Sequence, residues 1–136
     1  MMNTFQVHIL AADRIFYEGP GESLVVPTVD GEAGVLAHHS NIIAAIVPGE
    51  LRCQIPGQPV QRAAVSEGLI KVEDNDVLVL VDTAERPEEI DANRARRAAD
   101  QAREAILQKK SIQEYRTAQT NLARALNRLK VRGSRY

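Results

Sequence analysis

Apolar and polar residues alternate in short stretches through the first 86 residues of the chain. A period of two is typical of a half-buried β-strand, and it is clearest over residues 5–10 and 51–55. Predicted strands cover residues 5–10, 14–18, 22–28, 41–47, 51–55, 60–65, 68–72 and 77–81. Because turn-forming residues separate them at roughly regular intervals, the pattern predicts a β-sandwich, or flattened barrel, over residues 1–86.

Three local patterns in this region carry further predictions. The stretch 41–47 is apolar throughout, which predicts a strand buried on both faces. Within residues 29–39, Asp30-Gly31 predicts a turn because glycine tolerates positive φ, and Gly34 is a second flexible point. His8 falls on the polar face of the first strand, so we expect it to be solvated.

The pattern changes from a period of two to a period of three and four after Pro87. Proline suits the first turn of a helix, and Glu88, Glu89 and Asp91 place negative charge at the positive end of the helix dipole, so we predict a helix from Pro87 onward. A second helix begins at Ser111, with Glu114 in the position of a capping box. The apolar stripes are Ala95, Ala98, Ala99, Ala102, Ala105 and Ile106, then Tyr115, Ala118, Leu122, Leu126 and Leu129. The short link predicts an antiparallel two-helix hairpin over residues 87–136.

Charge divides the chain at the same place. Residues 1–86 hold five Lys/Arg and twelve Asp/Glu, a net charge of −7, whereas residues 87–136 hold twelve and six, a net charge of +6. An acidic body with a basic tail indicates that the tail meets an acidic partner, such as nucleic acid, an acidic protein surface or an anionic ligand, or the body itself.

The residue types and their spacing give little support for a catalytic site or a metal site. Cys53 is the single cysteine, which excludes an intrachain disulfide, and we predict a buried strand thiol. Of the three histidines, His38 and His39 are adjacent, and neighbouring residues of an extended chain point to opposite faces. No Ser/His/Asp arrangement, nucleophile elbow or metal-ligand spacing is legible, so we expect a non-enzyme without a metal site or a required cofactor. No signal peptide or membrane-spanning run is apparent.

The basic tail permits two interpretations. One is nucleic-acid binding, against which the arginines are spread around the helices. The other is an anion pocket, since Arg124 and Arg128 share a helix face and an antiparallel hairpin would bring Arg94 near them. Asp91 could pair with these arginines instead, and we favour such intramolecular salt bridges because surface pairs are common.

Four segments together resemble one family, the epsilon subunits of bacterial F-type ATP synthases. They are residues 28–39 (TVDGEAGVLAHH), 46–52 (IVPGELR), 65–68 (VSEG) and 77–86 (VLVLVDTAER), and their order and spacing match over the whole chain. The resemblance implies a non-catalytic central-stalk rotor subunit, peripheral on the cytoplasmic face of the cell membrane. Its sandwich would dock on the gamma subunit and the c-ring, with Glu32 in the ring-facing loop and His39 on the gamma-facing surface.

The resemblance also implies a regulatory role for the helices. In this family they restrain ATP hydrolysis by extending toward the catalytic beta and alpha subunits, and in some members ATP, with or without Mg²⁺, holds them folded. The matching positions here are Glu85, Ile90, Asp91, Arg94, Ala95, Arg124 and Arg128. Gln101 stands where ATP-binding members carry an arginine. The alternative is a separate nucleotide-sensing or nucleic-acid-binding module that uses the basic tail.

Overall fold

Two structural units, residues 1–86 and 87–136, make up the chain in the computed structural model, which describes residues 3–108 and 111–133. Within the described residues the first unit holds ten strands and the second holds a 3₁₀ turn and two helices. The strands are β1 (Phe5–Ala11), β2 (Ile15–Gly21), β3 (Ser23–Thr28), β4 (Gly31–Leu36), β5 (Ile42–Ile46), β6 (Gly49–Gln54), β7 (Gln61–Val65), β8 (Gly68–Glu73), β9 (Asp76–Val81) and β10 (Ala84–Glu85). The 3₁₀ turn is Pro87–Glu89, and the helices are α1 (Ala92–Gln108) and α2 (Ile112–Arg132).

The strands form two five-stranded sheets. The first has the order β2-β1-β9-β8-β5 and the second β10-β7-β6-β3-β4. Strands β1 and β9 pair in parallel, and the remaining pairs are antiparallel. The predicted β-sandwich followed by two helices is confirmed.

Side-chain alternation builds the core of the sandwich. Val7 and Ile9 of β1 and Val77 and Val79 of β9 are fully buried, and their neighbours in sequence face outward. Because successive side chains of a strand point to opposite faces, one phase of each strand fills the core and the other phase forms the outer face of the sheet. Cys53 belongs to this core, and burial raises its pKa to about 11, which marks a structural thiol.

Predictions for two segments need correction. The turn predicted at Asp30-Gly31 is confirmed, since the two-residue loop Val29-Asp30 joins β3 to β4 and Gly31 has φ +112°. The second flexible point predicted at Gly34 is wrong, because residues 31–36 form strand β4. Strand β5 is not buried on both faces, since it pairs only with β8 at the edge of the first sheet and Ile43 is 72% exposed. Pairing and sheet order, which are tertiary properties, decide both cases.

The two helices form the predicted hairpin. Most of the buried residues of the two helices are alanines, namely Ala95, Ala99, Ala102, Ala118 and Ala125, and Leu129 and Val131 are buried near the end of α2. The C-terminal end of α2 returns to the start of the unit, where Nη1 of Arg132 donates to the carbonyl oxygen of Pro87 at 3.5 Å. Ser111 caps α2 by accepting a hydrogen bond from the Glu114 N–H at 3.0 Å, as predicted. In the described part of the chain, no helix combines the length and apolarity needed to cross a bilayer.

Candidate functional site

The start of α1 lies later than the sequence predicts. Residues 87–89 form a 3₁₀ turn, closed by a hydrogen bond from the Ile90 N–H to the carbonyl oxygen of Pro87 at 3.2 Å, and α1 begins at Ala92. The N-cap is Asp91, whose Oδ1 accepts the Arg94 N–H at 3.1 Å. This hydrogen bond is the main reason that the pKa of Asp91 lies below its ordinary value.

The structure assigns local roles to the predicted ATP-binding positions between residues 85 and 95. Ile90 and Ala95 are buried, at 3% and 0% exposure, so their side chains belong to the interior of the helical unit. The Asp91 carboxylate accepts a main-chain N–H of Arg94, and the charges of Arg97 and Arg94 contribute less to its lowered pKa than this hydrogen bond does. Arg94 is exposed. Glu85 lies in β10 of the sandwich, where it pairs with Ala64.

A cleft of about 780 Å³ runs between the two helices. Arg124 and Arg128, one turn apart on α2, both line it, and Nε of Arg128 is buried. Gln101 of α1 and Asn121 of α2 add amide groups to its wall. The full lining is Ala98, Gln101, Ala102, Ala105, Gln108, Ser111, Gln113, Glu114, Thr117, Ala118, Asn121, Arg124, Ala125 and Arg128.

The cleft is suited to an anionic ligand of moderate size. Its volume falls within the roughly 300–1,000 Å³ of small-molecule sites, and alanine side chains leave the space open. Two guanidiniums supply planar donor groups that match phosphate oxygens. Arg94 is outside the cleft lining, so the described residues bring together two of the three arginines of the predicted pocket.

A row of apolar side chains crosses the outer face of the first sheet. Opposite one another in register are Ile15 (β2), Leu10 (β1), Leu80 (β9), Leu69 (β8) and Ala45 (β5), here called the apolar row. Ile15 is 63% exposed, Leu69 38% and Leu80 39%. Sequence reasoning missed this surface, although residues 77–81 are apolar in both phases, which is the signal that β9 has an apolar outer face as well as a core face.

A charged group lies beside the apolar row on the same face. His8 was predicted to be solvated, but Nδ1 lies 2.6 Å from Oε2 of Glu18 and Nε2 lies 3.3 Å from Oδ1 of Asp76. The hydrogen bond to Glu18 is the main reason that the pKa of His8 lies above its ordinary value. His8 therefore links β1 to acidic side chains of both neighbouring strands, and it forms ion pairs with them when its ring is protonated.

The second sheet carries a ladder of ion pairs that ends at Glu32. Arg62 binds Glu50 through two hydrogen bonds of 3.2 and 2.8 Å. Arg52 lies 3.6 Å from Glu50 and 2.8 Å from Glu32. The pKa of Glu50 is lowered, chiefly by the hydrogen bond from Arg62. Glu32, in β4 next to the β3–β4 loop, is thus held by Arg52 across the intervening strand.

His39 lies in the connection between β4 and β5. Its N–H donates to the carbonyl oxygen of Leu36 at 3.2 Å, and Nδ1 lies 2.7 Å from the carbonyl oxygen of Ser40. Residues 3–108 and 111–133 contain no group of three or more His, Cys, Asp or Glu side chains arranged to hold a metal ion.

Family models and individual relatives both place the chain in the same protein family. Residues 4–87 match the family model described as ATP synthase, Delta/Epsilon chain, beta-sandwich domain, and residues 88–133 match the model of its long alpha-helix domain. The ATP synthase epsilon chain of Ruminiclostridium cellulolyticum is 42% identical over 134 residues, which are 98% of this chain and 99% of that one. The ATP synthase epsilon chain of Caldicellulosiruptor bescii is 38% identical over 130 residues, or 96% and 94% of the two chains.

A solved structure shares the fold. A chain in the structure of the Euglena gracilis mitochondrial ATP synthase, described as OSCP/F1/c-ring, has a TM-score of 0.78 at 24% identity and matches 89% of this chain and 76% of that chain. At this level of identity the likeness concerns the fold alone.

Proposed function

The chain belongs to the delta/epsilon family of ATP synthase subunits, as a bacterial-type epsilon chain, and from that premise we propose that it couples the gamma subunit to the c-ring. It is a non-catalytic subunit of the central stalk. The sandwich docks on gamma and the c-ring, and the helices restrain ATP hydrolysis through contacts with the catalytic beta and alpha subunits. The complex holds the chain peripherally at the cytoplasmic face of the cell membrane.

The apolar row is the observation that supports docking on gamma most directly. It crosses all five strands of one sheet and exposes large side chains at Ile15, Leu69 and Leu80. Contiguous exposed apolar surface flanked by polar groups is typical of protein–protein contact sites. The hydrogen-bonded side chains of His8 and Glu18 supply such a polar border. Docking on gamma would remove the apolar side chains of the row from water.

The β3–β4 loop is the part of the sandwich that contacts the c-ring. Val29 is 79% exposed in this loop, and Glu32 follows it at the start of β4. Arg52 fixes the Glu32 carboxylate at 2.8 Å, so the loop presents an oriented charge beside an apolar side chain. Such a pair of features suits a contact with a polar loop of another subunit.

Binding to purified gamma tests the docking surface. Leu69→Arg and Leu80→Arg each place a charge in the apolar row, and we expect either to weaken binding about tenfold or more. Val60→Arg is the matched control, since Val60 is 48% exposed but lies in the loop before β7. Equal affinity of all three variants and the wild type would contradict docking through this face.

A second function, ATP sensing, is supported by the cleft between the helices. Arg124 and Arg128 would hold the phosphate groups, and bound ATP would join α1 to α2 and favour the folded hairpin. Gln101 lines the same cleft, so the amide takes the place of a third cation. We therefore expect weaker binding than in a site with arginine at this position, because a neutral amide donates weaker hydrogen bonds to phosphate than a guanidinium does.

Titration calorimetry of the full chain with ATP, with and without Mg²⁺, tests this second function. Arg128→Ala and Arg124→Ala should each abolish or strongly weaken the heat of binding. Arg116→Ala is the control, since Arg116 is an exposed arginine of α2 outside the cleft lining. Gln101→Arg should strengthen binding. No heat from the wild type at millimolar ATP would refute the sensing role and leave the stalk role intact.

Restraint of ATP hydrolysis is tested in the reconstituted complex. Removing residues 87–136 should raise the rate of ATP hydrolysis and leave binding to gamma unchanged. The basic character of the helices supports contact with an acidic segment of the catalytic subunits, and that contact should weaken with rising salt. An unchanged hydrolysis rate in the shortened complex would exclude the inhibitory role.

The nucleic-acid alternative gains no support from the arginine positions. Arg103 lies 3.4 Å from Asp100, and Arg96 donates to Asn93 at 3.1 Å, so each is engaged by a neighbour one turn earlier on α1. Phosphate-backbone binding needs a continuous basic stripe, and the helices do not present one through these two residues.

A further inference from the structure

The turn between β8 and β9 needs residues that accept positive φ. Glu73 and Asp76 face each other in register, so the loop consists of Asp74 and Asn75, with φ values of +50° and +65°. Two-residue loops of this type favour asparagine, aspartate and glycine. The turn accounts for asparagine, aspartate or glycine at position 75 equally, so what the amide adds is decided by its side-chain contacts.

The Asn75 side chain makes two hydrogen bonds to other parts of the sandwich. Its Oδ1 accepts the His38 N–H at 2.7 Å, and its Nδ2 donates to the Thr4 carbonyl oxygen at 3.0 Å. The two partners settle the orientation of the amide, since a main-chain N–H only donates and a carbonyl only accepts. Asn75 thus links the β8–β9 turn to the connection between β4 and β5 and to the chain just before β1.

His38 has a backbone conformation that depends on such support. Its φ is +64°, in the left-handed region that residues with a side chain seldom adopt. The next residue is His39, whose N–H closes the turn onto the carbonyl oxygen of Leu36. Because the His38 backbone sets the direction in which the chain continues, the bond from Asn75 determines where His39 is presented.

We propose that Asn75 is a positioning residue for the partner contact made by His39. It holds the main chain of His38 in the left-handed conformation and so fixes His39 before the partner binds. The inference rests on the proposed docking on gamma and on the assignment of His39 to the gamma-facing surface that the family resemblance implies. A contact that is already ordered in the free chain loses less conformational entropy on binding.

Two substitutions separate the side-chain hydrogen bonds from the turn. Asn75→Gly keeps a residue that accepts positive φ and removes both bonds. Asn75→Asp keeps an oxygen that accepts the His38 N–H and loses the donor to Thr4. Amide hydrogen exchange of the full chain should show faster exchange at His38 in Asn75→Gly, by about three- to tenfold, and exchange near the wild-type rate in Asn75→Asp.

The affinity for gamma is the second measurement, because it would not change if Asn75 only stabilised the sandwich. Asn75→Gly should weaken binding by about three- to tenfold, and Asn75→Asp should restore most of it. In a chain that already carries His39→Ala, adding Asn75→Gly should weaken binding to gamma by less than about twofold, because the effect of Asn75 acts through His39.

The outcomes distinguish the inference from the function on which it rests. Unchanged exchange at His38 in Asn75→Gly would overturn the positioning role. The same loss of affinity with and without the His39 side chain would also overturn it, since Asn75 would then act elsewhere. If wild-type chain fails to bind gamma, the proposed docking fails, and exchange at His38 still decides whether Asn75 holds that residue.

Discussion

Gly68 stands at a point in the sandwich where a single methyl group does not fit. It begins β8 and lies opposite Val81 of β9. A Cβ added at Gly68 would lie 2.7 Å from Cα of Val81 and 2.8 Å from the carbonyl carbon of Leu80, and closer still to the Leu80 oxygen. All of these are main-chain atoms, so no side chain can rotate away, and the two strands must separate to admit alanine.

The size of the effect follows from this geometry. Overpacking a well-packed site costs about 1–3 kcal/mol, and we expect Gly68→Ala near the upper end because the obstacle is backbone. In a unit of this size, each kcal/mol lowers the melting temperature by roughly 4–8 °C, so the sandwich should melt about 12–24 °C lower. Its φ is outside the left-handed region, so the clash, not backbone strain, is the cause.

Gly34 provides the matched control. It lies in the edge strand β4, its φ is also outside the left-handed region, and a Cβ there meets nothing within 4 Å. Gly34→Ala should change stability by less than about 0.5 kcal/mol. Urea unfolding of the full chain, followed at the backbone amides of β8 and β9, reports on the sandwich alone. Equal unfolding midpoints for the two alanine variants would refute the close-contact reasoning.

Three further predictions concern titratable groups. Asp91→Ala should lower the helix content measured by circular dichroism, whereas Asp91→Asn should keep it, because asparagine also accepts the Arg94 N–H. Equal helix content in the two variants would contradict the role of Asp91 as the N-cap. The folded-state pKa of His8 is raised, so the stability that its bond to Glu18 contributes is present below about pH 6.5 and is lost as pH rises through the folded pKa. Urea midpoints of wild type and His8→Gln should therefore differ most in acid, and a difference that grows with pH would be inconsistent with the sign. Cys53 should resist thiol reagents at neutral pH until the sandwich unfolds, and rapid labelling of the native chain would show that it is accessible.

The local pattern of apolar and polar residues was sufficient to predict the elements in which that pattern alone shows which side chains are buried. Strands β1 and β6 alternate cleanly, and the sequence predicts them within a residue or two. The helical period and the Ser111 cap likewise depend on neighbours within a turn. Strand β4 was missed because Gly31 and Gly34 weaken strand propensity, and pairing with β3 overrides that weakness.

The sites required information that the sequence order does not carry. The apolar row assembles one side chain from each of five strands, so it exists only once strand order and register are known. Asn75 and His38 are 37 positions apart, and nothing local to either predicts their hydrogen bond. In contrast, Arg124 and Arg128 are one helical turn apart, and periodicity alone places them on one face. Arg94 has the right charge, but the lining of the cleft depends on the packing of two helices and does not include it.

The segment between the two units has the features needed for a change in the arrangement of the helices. Arg86 stacks over the Phe16 ring at 4.2 Å and donates to the Phe16 carbonyl oxygen at 3.3 Å, and Arg14 donates to the carbonyl oxygen of Ala84, so the sandwich is fixed up to its last residue. Helix α1 carries its own cap at Asp91, so it does not rely on the sandwich for its first turn. We therefore expect the rearrangement proposed for inhibition to change backbone angles over residues 87–90, where it would also disturb the Ile90–Pro87 and Arg132–Pro87 hydrogen bonds. Amide exchange that is fast there and slow on both sides would support this division, whereas slow exchange throughout would argue for a rigid connection. Because the contacts around Phe16 lie within the sandwich, a movement of the helices would leave the proposed docking surface intact.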